Sequence, residues 1–306
     1  MRIQDFALIT FTILMQLSVG AFVVLAFARL YATRKANVNE ANRLSDRALY
    51  WIVPIVILGL LASLLHLGNP LGAYRAVNNF GTSWLSREIT FSVAFTLLAF
   101  LYTLLQWRKI LSVGLRNVLA WITALVGLGL VYVMGNVYLL DAQPAWNTWV
   151  TLVTFFLTTF LLGTLAVGAV FVTTYASVKR REPEHAKTQF GLVRDIVRWI
   201  AVVAVILLGI QLVILPLYVA SLSSGSAAAA ATATLLVGPF GWALILRVAL
   251  VFLGAGVVGM FLYQNAQSAG KENVLGNLAY TSFILVLAAE VIGRYLFYAT
   301  HVRLGI

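Results

Sequence analysis

Residues 66–88, HLGNPLGAYRAVNNFGTSWLSRE, join two apolar runs at 48–67 and 86–107. Each run has the roughly 20 residues needed to cross the hydrocarbon layer of a bilayer. The composition agrees: 61% of the 306 residues are hydrophobic and only 10% charged, where soluble domains carry about a quarter charged residues. Carried outward, the same reading gives eight apolar spans at 4–32, 48–67, 86–107, 117–140, 147–176, 192–220, 239–264 and 273–299. An open chain in lipid cannot leave its amides unpaired, so each span must be a helix. The expectation is an all-α integral membrane protein, a single bundle over 1–306 of eight transmembrane helices. The first run lacks a short hydrophobic core followed by a small-residue cleavage site, and reads as a retained helix.

The net charge of +11 sits in a few short connections. Arg34, Lys35, Arg43 and Arg47 follow the first span, and Arg108, Lys109 and Arg116 the third. Lys179, Arg180, Arg181 and Lys187 follow the fifth, and Lys271 the seventh. The alternate connections hold only Arg75, Arg87, Asp141 and an uncharged Ala- and Ser-rich stretch at 221–235. The positive-inside rule then puts both termini, and residues 66–88 with them, on the outer (periplasmic) side of the inner membrane. Basic clusters tethered between spans suit the lipid bilayer and its anionic headgroups, and no nucleic acid is expected as a partner. The 221–235 stretch reads equally as a mobile outer loop or a short surface helix. Gly254-Ala-Gly256-Val-Val-Gly259 has the dinucleotide-binding spacing, but it lies in mid-span with no strand before it, so close helix packing is the better reading.

There are no cysteines, which excludes self-contained iron–sulfur clusters, thiolate zinc sites, covalent haem and disulfides. A bis-histidine haem needs facing histidines within the spans. Of three histidines, His185 lies in a basic connection, leaving His66 and His301 at the outer rim, so neither haem nor metal site is expected.

Among the acids inside spans are Glu88 and Glu290, both toward the outer face. A charge there costs about 2.5–3.5 kcal/mol on insertion scales, so each needs a partner or a purpose. Glu88 reads as sitting in the first turn of the third span behind Ser86 as a cap, either compensating the helix dipole or accepting a proton. Glu290, Arg294, Tyr298 and His301 form one stripe down the last turns of the eighth span, and Glu290 to Arg294 is the favourable ion-pair spacing. Arg247 is a further cation within a span, and Gln16 a buried amide best read as glue between helices. His66, Arg75, Glu88, Arg247, Glu290, Arg294, Tyr298 and His301 are all assigned to the outer side by span arithmetic. A proton acceptor, carboxylates and cationic donors gathered there suit the binding of a quinol headgroup and the removal of its protons. Nothing in the chain stores an electron beyond the bound quinone, so electrons must leave to a cofactor in a docked partner.

At HLGNP (66–70), SWLSREI (83–89) and AAEVIGRYLFYATHVRLG (288–305), the chain resembles the DmsC family, and FTILMQLSVGAFVVLAFA (11–28) is similar to that family's start. The resemblance implies a haem-free, eight-span anchor subunit of a molybdenum oxidoreductase that oxidises menaquinol. Electrons would pass to a four-cluster ferredoxin-like iron–sulfur subunit and then to a molybdopterin catalytic subunit. His66 and Glu88 match the family's histidine and glutamate implicated in quinol binding, and protons would be released through them, the former as base and the latter as relay or hydrogen-bond acceptor. The basic segment 178–191 and the Ala-rich 221–235 depart from the family. Two other classes compete. A secondary transporter would carry its charges near mid-bilayer on broken helices, and a purely structural tether would have no quinol site.

Overall fold

The computed structural model describes residues 3–66, 75, 78–266 and 272–305. Its long helices are α1 (Ile3–Lys35), α2 (Val38–His66), α3 (Trp84–Trp107), α4 (Val113–Asn136), α5 (Trp149–Arg181) and α6 (Ala186–Ser223). The short α7 (Ala227–Val237) follows. Then α8 (Gly241–Val251) and α9 (Gly259–Asn265) are joined end to end by a π-helical segment, Phe252–Val258, and α10 (Glu272–Ala299) closes the fold. No strand occurs among the described residues. Eight of these helical stretches are long and apolar enough to cross a membrane, at the positions the sequence predicts.

The helices overrun the apolar spans where charge allows. α5 continues through Lys179, Arg180 and Arg181, and α6 begins at Ala186, so the basic 178–191 segment is mostly helix and not loop. Glu182 ties this corner to α2 through Arg43 at 3.0 Å and Arg47 at 3.2 Å. The Ala-rich stretch takes the helical of its two readings: Ser226 caps α7 by accepting from the Ala229 amide, and Ala229, Thr232, Ala233 and Leu236 form its buried face. Pro54 and Pro216 lie inside α2 and α6. Gly254, in the π-helical segment, meets α10, where a Cβ would stand 2.8 Å from Val286, and its carbonyl accepts from Ser282 at 2.8 Å. The glycine spacing there serves packing.

α1 and α5 are the most enclosed helices, and they cross in backbone contact. A Cβ on Gly20 would collide with the carbonyl oxygen of Thr159, and one on Gly163 with the backbone of Gly20 and Ala21. Only two glycines permit that approach. α10 packs against both α5 and α1, so α1, α5 and α10 form the spine beside which the other helices stand. The start of α1, the ends of α4 and α10 and the start of α5 share one end of the bundle. There the Tyr138 and Tyr298 hydroxyls meet at 2.6 Å and the Leu304 amide donates to the Ala142 carbonyl.

Gly163→Val should abolish folding or lower the unfolding temperature in detergent sharply. The displaced atoms are backbone and cannot move aside, so the cost should exceed the roughly 1–3 kcal/mol of ordinary overpacking. Gly209→Ala, where a Cβ meets nothing within 4 Å, should stay within about 0.5 kcal/mol of wild type.

Candidate functional site

Glu290 lies nine residues before the end of α10, about 13 Å below it at 1.5 Å per residue, and is 2% exposed. Its carboxylate accepts two hydrogen bonds, from Thr158 Oγ1 of α5 at 2.6 Å and from Gln211 Nε2 of α6 at 2.9 Å. Arg247 of α8 brings Nη2 to 3.9 Å. A buried anion is tolerable when cation and donors surround it in this way. Arg247 reaches it by lying across Gly293, where a Cβ would stand 2.5 Å from Nε.

The Glu290–Arg294 ion pair suggested by the spacing does not form. Arg294 turns instead toward α1 and α5, where Nη2 donates to Gln16 Oε1 at 2.9 Å and the guanidinium lies 3.8 Å from the centre of the Phe155 ring. Gln16 in turn donates Nε2 to the Phe155 carbonyl at 3.1 Å, which makes it the glue its sequence position suggests.

These groups border a cavity between α5, α6, α7, α8 and α10, with about 860 Å³ of space counted out to its open mouth. Glu290, Gln211, Thr158, Arg247 and Arg294 line its depth, and Trp146 and His301 line it from beyond the helix ends. Leu157, Ile214 and Leu236 supply apolar wall. His301 stacks on Trp146 with ring centres 4.4 Å apart, and its Nδ1 lies 2.7 Å from the Tyr298 carbonyl. A carbonyl only accepts, so Nδ1 carries the proton and Nε2 is the basic nitrogen of the neutral ring. Three polar atoms around the cavity are buried without a hydrogen-bond partner among the described residues: Gln211 Oε1, an acceptor, and Arg247 Nε and Arg294 Nε, both donors. Orphans of both signs beside one cavity suit a ligand that both donates and accepts.

The remaining sequence candidates lie elsewhere. Glu88 is in the second turn of α3, whose cap is Ser83 and not Ser86; the Ser83 hydroxyl accepts from the Ser86 amide. It is 4% exposed, with Oε1 unpartnered. It does not line the cavity; like Arg294, it interacts electrostatically with the buried Tyr138 and Tyr298 hydroxyls. Arg75 is exposed. His66 is the last residue of α2, and its side chain lies outside the described residues. Sequence reasoning missed Gln211, Thr158 and Gly293. Of these, Gln211 alone carried a signal, a lone amide in an apolar span; Gly293 stands three residues after Glu290 on the same stripe.

Among the described residues no group of three His, Asp or Glu side chains is placed to hold a metal ion. Among the described residues, eight apolar helices long enough to cross a bilayer define a multi-pass membrane protein, with a cavity between α5, α6, α7, α8 and α10. The protein belongs to the DmsC family, the dimethyl sulfoxide reductase anchor subunits, whose family model matches residues 1–300. It is 30% identical to a polypeptide of the anaerobic dimethyl sulfoxide reductase of Haemophilus influenzae, over 99% of its own length and 97% of that relative. It is 31% identical to the polypeptide of the same name from Escherichia coli, over 99% and 96% of the two lengths. A shorter likeness, 31% over 102 residues, links it to one subunit of the sulfite dehydrogenase of Allochromatium vinosum, covering 33% of this protein and 31% of that one.

Gln16→Leu removes the only oxygen that Arg294 Nη2 is bonded to. It should lower stability by about 1–3 kcal/mol through an orphaned buried donor, read as a lower unfolding temperature. Gln16→Glu should not show that loss.

Proposed function

We propose that the protein binds a quinol in the cavity beneath His301 and oxidises it, releasing two protons and delivering two electrons to a partner. The orphaned trio of Gln211 Oε1, Arg247 Nε and Arg294 Nε carries this reading. A quinol offers hydroxyl hydrogens to the acceptor and oxygens to the donors, and the apolar wall suits its isoprenoid tail. Glu290 and the free nitrogen of His301 are the proton acceptors within the cavity. Glu88 relays protons outward through the Tyr298 and Tyr138 hydroxyls, and His66 acts as the base, the two residues that the family resemblance implicates in quinol binding.

The similarity to polypeptides named for dimethyl sulfoxide reductase supports menaquinol as the quinol. It also supports a four-cluster ferredoxin-like iron–sulfur subunit as electron acceptor and a molybdopterin subunit beyond it. On the charge pattern, the cavity end faces the periplasm, both termini lie there, and the basic connections face the cytoplasm across the inner membrane. The outer segments 68–85 and 221–238 are the candidate docking face for the iron–sulfur subunit, with 68–74, 76 and 77 outside the described residues. Because quinol oxidation and the partner's reaction share a side, the subunit moves no net charge by pumping.

The assembled complex from membranes, titrated with a quinone analogue and assayed with a quinol, separates the roles. Gln211→Leu and Glu290→Ala should weaken analogue binding by about tenfold or more. Glu88→Gln should leave binding within about twofold and slow turnover by roughly 10²-fold or more. The reverse pattern would put the ring against Glu88. Unchanged turnover in all three would leave the protein a tether, and uptake of a solute by vesicles holding this protein alone would make it a transporter.

A further inference from the structure

At the end of the bundle away from the cavity, nearly every acid is already engaged by a neighbour. Asp46 takes Lys109 and Gln106; Glu40 takes His185 and Gln189; Asp195 takes Lys35 and Tyr31; Glu182 takes Arg43 and Arg47. Two buried cations are left over. Arg29 of α1 is 4% exposed; its Nε donates to Asn117 Oδ1 at 3.1 Å and its Nη1 to Ser45 Oγ at 2.9 Å, while Nη2 has no partner. Arg116 of α4 is also 4% exposed, and its Nε and Nη1 have none. Arg29 bonds to Asn117, next to Arg116 in α4. Both guanidinia act on the buried hydroxyl of Tyr102 in α3, as does the Asp46 carboxylate that Lys109 and Gln106 already engage. The two arginines therefore lie near one spot among α1, α2, α3 and α4. Arg116 lies in the first turns of α4, behind the cap Ser112, where the helix dipole adds further positive potential.

Two guanidinium charges and a helix N-terminus, with no carboxylate within 4.0 Å among the described residues, make a site that lacks its anion. Buried charge without a counter-ion is strongly destabilising. We infer that Arg29 and Arg116 bind the phosphate of an anionic phospholipid at this end of the bundle. Arginine's planar fork matches phosphate oxygens two at a time, and Arg116 has two donors free for it. The depth fits a headgroup: Arg29 lies six residues before the end of α1, about 9 Å at 1.5 Å per residue. Beside it the α1–α4 seam turns apolar side chains outward. The exposed Phe27 meets Trp121 edge-on at 4.9 Å, and Leu115 and Val118 are exposed on α4, a wall against which an acyl tail can lie. The basic connections at this end belong to the leaflet side that attracts anionic lipid.

Native mass spectrometry tests this on the protein extracted with whatever subunits it carries, delipidated in mild detergent, then titrated. The probes are phosphatidylglycerol, phosphatidylcholine and inorganic phosphate. Phosphatidylglycerol should be retained at one tight site per polypeptide and should raise the unfolding temperature, and the other two should do neither. Arg116→Gln and Arg29→Gln should each weaken that retention by about tenfold or more, with Arg116→Lys in between. Equal retention of both lipids, or retention unchanged in the variants, overturns the proposal. Occupancy by inorganic phosphate that blocks the lipid makes it a free-ion site and overturns it too. Should a variant fail to assemble, the comparison of the three probes on the wild-type protein decides alone.

Discussion

Where α1 crosses α5, Gly20 and Gly163 let two backbones touch, and most of the polar interior is positioned by that contact. Gln16 stands one turn from Gly20 and Phe155 two turns from Gly163, so the crossing fixes the reach of the Gln16 amide to the Phe155 carbonyl. That amide then has its oxygen free for Arg294. In lipid there is no water to absorb a misplaced donor, so a helix spacing wrong by a side chain would strand both groups. Close packing and polar satisfaction are therefore one constraint here.

With Arg294 held against α1, the acidic side of α10 is free to face α6 and α8. Glu290 is neutralised there by three separate helices, through Thr158, Gln211 and Arg247. The cavity exists because these partners reach the carboxylate from its edges and do not fill the space in front of it. Beside it the Tyr138 and Tyr298 hydroxyls meet at 2.6 Å.

The eight spans were legible because length and apolarity alone force a helix in lipid. Their ends were not, since helices such as α5 run on into solvent wherever charged residues can be hydrated. The stretch at 221–235 was ambiguous because Ala and Ser permit both helix and coil; burial of one face of α7 decides it. In the site, Glu290, Arg294 and Tyr298 share α10 while His301 falls just past its end, and spacing could not say which neighbour each residue would face. An i, i+4 pair gives way when other helices offer better partners, as Gln16 and Arg247 do. Gly293 was invisible for a related reason: its role is to leave room for a side chain 46 positions earlier in the sequence.

A structure of the assembled complex with a tightly bound quinone analogue tests the central claim most directly. The account predicts the ring inside the α5–α6–α10 cavity, within hydrogen-bond distance of Gln211 and Glu290, with its tail along Ile214 and Leu236. A ring seated against Glu88 at the start of α3, with the cavity left to water or lipid, would contradict it.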